Sequence, residues 1–185
     1  MPRFPLVLFA VATLALPGAA SGQDVLDLTS ATHLRSEYLT DMSSVHDNIV
    51  ALANAIPADK YGWRPAPGVR SISEVLMHVA GEWYVIGPIS VGSRPHADFT
   101  VPKEAMAKLE KVSAKADVLA ELDKAWAHSR RTIETADPAM LQGRYEPAKM
   151  SLARAALRVS GDLHEHLGQL IAYARSVGVT PPWSK

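Results

Sequence analysis

The segment Asp162-Leu163-His164-Glu165-His166-Leu167-Gly168-Gln169 packs four groups able to bind a cation or move a proton into an otherwise apolar-periodic stretch. A helix turns about 100° per residue, so Asp162 and His166 share a face while His164 leaves on the other flank. Leu152, Ala156, Val159, Leu163, Leu167, Leu170 and Ala174 trace the apolar stripe of that helix. His166 lies nearer its centre than Asp162 does and is expected to point inward. Far upstream, His78 and Glu82 stand one turn apart beside a second apolar face. His78, Asp162 and His166 together make a set of two imidazoles and one carboxylate. Such a set holds a divalent metal through three protein ligands and leaves positions for water or substrate. Spacing alone leaves a plainer account open, in which Asp162 orients His166 within an ordinary polar layer or simply faces water.

These residues need helices to position them. Leu34, Tyr38, Met42, Val45, Ile49 and Leu52 recur at spacings of three and four, predicting a first helix from near Thr32 to Ala55 that Ile56-Pro57 ends. His33 and His46, on this segment, have no partner at ligand spacing and read as surface or boundary residues. Tyr61 and Trp63 precede Pro65, Pro67 and Gly68, which break regular structure. Ser71-Ile72-Ser73-Glu74 is a capping-box pattern opening the second helix, whose face is Ile72, Val75, Leu76, Val79, Trp83 and Ile86. From Gly87 to Pro102 the Gly/Pro-rich chain is too long for a tight turn and reads as a crossover, with a short helix between Lys103 and Lys111. A third helix is expected over Lys115 to Thr135, stopped by Asp137-Pro138. The fourth starts after Ser151 and continues to about Val177, with Gly178 as a left-handed stop. No convincing strand pattern remains. The fold class is therefore all-α, four helices around one core.

The chain's start and composition bound its setting. Arg3, an apolar run from Phe4 to Leu16 and small residues to Gly22 form the pattern of a secretory signal peptide, predicting residues 1–22 as a leader and 23–185 as one domain. The expected location is periplasmic or secreted, with no membrane attachment after cleavage. There is no Cys, which excludes disulfides, thiolate metal ligands and a thiol nucleophile, so ligands must come from His and carboxylates. Nineteen basic residues balance nineteen acidic ones, which gives no support for a nucleic-acid or anionic-membrane partner.

Tyr61-Gly62-Trp63-Arg64-Pro65, Pro67-Gly68-Val69-Arg70-Ser71, Ser73-Glu74-Val75-Leu76-Met77-His78-Val79-Ala80 and His164-Glu165-His166-Leu167-Gly168-Gln169-Leu170 together resemble the DinB/YfiT-like superfamily over essentially the whole mature chain. The resemblance implies an up-down-down-up four-helix bundle with a long crossover between helices two and three. It also implies a divalent metal held by a His on helix two and a His-x-x-x-His pair on helix four, the second His followed by Gly-Gln or Gly-Asn. His78 and His166 fall on ligand positions. Asp162 stands where the first His of the pair is expected, so the site either persists with a harder, charged ligand or is weakened. His164, the spare imidazole, lies about 200° from Asp162 around the helix and would need a rotated or distorted turn.

Two functions follow as expectations. In one, the chain is an exported metal-dependent enzyme, of hydrolase or transferase type, acting on a small-molecule substrate with zinc, nickel, manganese or iron. Glu82 is then a catalytic acid/base or a residue supporting the ligands. In the other, it is a non-catalytic exported bundle that binds a small molecule or protein. A homodimer is compatible with both.

Overall fold

In the computed structural model, residues 26–184 are described; the expected leader lies outside them. The protein is mostly helical. α1 spans Leu28–Ala55, capped by Asp27, whose carboxylate accepts from the Ser30 amide, so the helix begins earlier than the apolar spacing predicts. It buries Tyr38, Met42, Val45, Ile49 and Leu52, the stripe anticipated for it. His33 is exposed, whereas His46 is half-buried and stacks on Trp126 with ring centroids 4.8 Å apart.

α2 spans Ile72–Gly81 behind a complete capping box: Ser71 Oγ accepts from the Glu74 amide, and the Glu74 carboxylate accepts from the Ser71 amide. The helix does not then end at a crossover. It widens into a π-helical turn over Glu82–Ile86 and continues as α3, Gly87–Ser90. The Gly87-Pro88 pair, expected to open the crossover, is thus helical. A Cβ at Gly87 would lie 2.5 Å from Ser129 Oγ, so glycine there permits close packing rather than a turn. Pro88 offers no amide hydrogen to the preceding turn, and the Tyr84 carbonyl accepts instead from the His96 amide at 2.9 Å. The irregular connection begins only at Val91.

α4 (Pro102–Leu109) lies against α2, and α5 (Lys115–Thr135) has the predicted bounds. Between α5 and the last helix the chain forms a short antiparallel ladder, β1 (Arg144–Tyr145) and β2 (Met150–Ser151), that the sequence pattern did not disclose. Two residues per strand are too few to show alternation. α6 spans Leu152–Ser176; Ser151 Oγ caps it, and Gly178 at φ 82° follows its end.

α1 packs on α5 and α6, and α2 packs on α5 and α6, enclosing a core that includes Trp83, Leu76, Leu122, Ile133, Leu163 and Leu170. Tyr61 closes part of this core, fully buried, with its hydroxyl donating to the Ala53 carbonyl. Trp183, near the C-terminus, is 41% exposed.

Candidate metal centre

On α6 the ridge Ala155, Val159, Asp162, His166, Gln169 and Tyr173 steps along one side of the helix by threes and fours. That side meets α2, its π turn and α3. His78 stands on α2, and Glu82 is the first residue of the π turn. π insertions reposition side chains relative to a regular helix and are frequent at functional sites.

The result is a cluster of three. Glu82 Oε1 lies 3.5 Å from His78 Nε2 and 3.4 Å from His166 Nε2, and the ligand atoms of the three residues all fall within 4.8 Å of one another. The two imidazoles meet edge to face, ring centroids 4.9 Å apart. The Glu82 side chain is only 5% exposed, and the two imidazoles wall it off from solvent at 18% and 15%. Burial pushes the Glu82 carboxyl up, but His166 and His78 outweigh it and hold the group down at about 2. The reciprocal effect raises His166, whose interaction with Glu82 exceeds the opposing effect of burial.

His166 is steadied from behind, and His78 faces a carboxylate on its far side. His166 Nδ1 is 3.3 Å from Gln169 Oε1, and the Gln169 amide donates to the Tyr173 hydroxyl at 2.9 Å. With Nδ1–H donating to Gln169, the Nε2 lone pair is free to face the cluster. His78 Nδ1 lies 3.8 Å from Glu110, a residue at the end of α4 that Arg70 holds at 2.8 Å. Gln169 was visible in sequence as the Gly-Gln that follows His166. Glu110 had no local signal, because a crossover element delivers it.

Asp162, placed by sequence among the ligands, is near the cluster but outside the group of three whose ligand atoms converge. Burial, and the neighbouring Glu82 carboxylate, push its carboxyl up. Glu82, placed by sequence as an acid/base or a residue supporting the ligands, is the carboxylate within that group of three. His164 lies against α1: its Nε2 is 3.0 Å from Asp41, and Asp41 also accepts from Ser160.

The residues fit a divalent cation. For bonds of about 2.0–2.2 Å, tetrahedral ligand atoms stand roughly 3.3–3.6 Å apart, the range in which Glu82 Oε1 meets both imidazole nitrogens. Glu82 Oε2 is buried without a hydrogen-bond partner among the described residues. An orphaned carboxylate oxygen beside two imidazole nitrogens is an acceptor that a divalent cation between the three groups would take up.

No curated protein matches the chain. The family model of the DinB superfamily matches residues 42–170, from within α1 to the part of α6 just beyond Gln169. That span contains His78, Glu82, Asp162 and His166, and covers well over half of the sequence. The chain belongs to the DinB superfamily.

Proposed function

We propose that this protein is an exported, divalent-metal-dependent enzyme of hydrolase or transferase type, with the metal held by His78, Glu82 and His166. The observation that carries the reading is the buried Glu82 carboxylate, facing two Nε2 atoms at 3.4–3.5 Å. Two neutral imidazoles and one carboxylate suit zinc, nickel, manganese or ferrous iron. Export rests on the leader-like pattern of residues 1–22. The packing of α1, α2, α5 and α6 supports the up-down-down-up bundle that the family resemblance implies.

A divalent ion held by these three residues would supply polarisation of a substrate oxygen or activation of water. The chain's own residues do the rest. Gln169 fixes the orientation of His166, and Glu110 places a negative charge 3.8 Å behind His78. Glu82, ionised and shielded, supplies one negative charge, which offsets part of the ion's charge. Asp162 stands beside the ligands with a carboxyl pushed upward, and takes the acid/base role that sequence reasoning placed at Glu82.

Calorimetric titration of zinc and nickel into chelator-treated wild type, His166→Ala, Glu82→Gln and Asp162→Ala tests the assignment. Binding should be lost or fall by at least about 100-fold in the first two variants. Asp162→Ala should bind metal within about tenfold of wild type. Wild type without metal affinity, or His166→Ala with undiminished affinity, would leave the non-catalytic bundle as the better reading.

A further inference from the structure

Beyond the cluster, the seam between the α2–α3 segment and α6 opens into a cavity of about 300 Å³. Its walls are Ile86 and Ile89 on one side and Val159 on the other, and the β1–β2 hairpin contributes Tyr145 and Met150. Lys149, left-handed at φ 51°, forms the bend that brings Met150 back beside Tyr145. The size is at the lower end of the ~300–1,000 Å³ usual for small-molecule sites, and the lining is mostly apolar.

The cavity adjoins the candidate metal centre. Ile86 lies four residues past Glu82, and Val159 lies seven residues before His166 on the same ridge of α6, about 10 Å along the axis. Asp162 stands between. One charged residue lines the cavity: Arg158, one turn before Asp162. Its guanidinium, on an exposed residue at the cavity mouth, has no ion pair or hydrogen bond with any described residue. The Tyr145 hydroxyl likewise has no hydrogen-bond partner among the described residues. An unpaired guanidinium and a phenol at an apolar cavity are complementary to a carboxylate carried on an apolar body.

We infer that this cavity binds the substrate of the metal centre, and that the substrate is a small amphipathic organic carboxylate. Its apolar body fills the space between Ile86, Ile89 and Val159, its carboxylate pairs with Arg158, and its remaining functional group is directed past Asp162 towards the ligands. The substrate class rests on the metal-centre reading; the binding itself is independent of it.

The test uses 3-phenylpropanoate and its neutral counterpart 3-phenylpropan-1-ol, titrated by nuclear magnetic resonance into chelator-treated protein. Wild type should bind the acid about tenfold more tightly than the alcohol. Arg158→Gln should lose that preference while binding the alcohol as before, Arg158→Lys should keep part of it, and Ile89→Glu should repel the acid. Circular dichroism checks that each variant is folded. No binding of the acid to wild type, or equal binding to Arg158→Gln, overturns the proposal even if zinc binds. Arg158-dependent binding in a protein that takes up no zinc would sustain the cavity and remove only the metal reading.

Discussion

Replacing Glu82 by Gln removes the charge at the centre of the cluster with little change of shape, and the consequence for stability can be worked out with its sign. Glu82 has an ordinary value of 4.5 and is held at about 2 in the folded protein. That difference corresponds to about 3 kcal/mol favouring the folded state, fully present above pH 4.5 and lost as pH falls towards 2. His166 is shifted the other way, raised above 6.5, chiefly by the same Glu82. Its contribution is fully present below 6.5 and disappears as pH rises through the folded value. The two shifts describe one interaction and are not added. Metal-free wild type should therefore exceed Glu82→Gln most between about pH 4.5 and 6.5, by roughly 1–3 kcal/mol, since the amide retains some polar contact. For a domain of this size that is about 2–12 °C in melting temperature. The assay is thermal unfolding of both proteins in chelator from pH 2.5 to 8.5. A difference independent of pH, or one that grows towards pH 2.5, would refute the ion-pair account of the cluster.

Three further outcomes follow from individual contacts. Gln169→Ala removes the partner of His166 Nδ1 and should weaken zinc binding about 10- to 100-fold by calorimetry without changing the helical spectrum. His164→Ala breaks the 3.0 Å contact with Asp41 on an exposed flank; metal affinity should be unchanged and stability should fall by no more than about 1 kcal/mol in urea titration. Gly87→Ala forces a Cβ to within 2.5 Å of Ser129 Oγ, and should destabilise by about 1–3 kcal/mol, with Ser129→Ala restoring part of the loss in the double variant.

The helices were legible because their signals are local. Apolar spacing over Lys115–Thr135, the Ser71/Glu74 box and the Ser151 cap are each contained within a few turns of chain. Gly87-Pro88 misled for the same reason: locally the pair marks a break, and only the approach of Ser129 from α5 shows why glycine is needed inside a helix. The site was legible in its components more than in its roles. The spacing of four identified both His78/Glu82 and Asp162/His166, but which carboxylate converges with the imidazoles depends on how α2 meets α6. Sequence periodicity carries no information about that packing. The pairing of His164 with Asp41 spans 123 residues and was beyond any local pattern.

The most direct test of the central claim is the position of a bound ion. A crystal of the protein soaked in zinc, with diffraction data collected on both sides of the zinc absorption edge, locates the metal by its anomalous signal. The account predicts a single strong peak about 2.0–2.2 Å from His78 Nε2, His166 Nε2 and a Glu82 oxygen, with Gln169 still against His166 Nδ1. A peak bound to Asp162 with Glu82 turned away, or no peak between the two imidazoles, would contradict it.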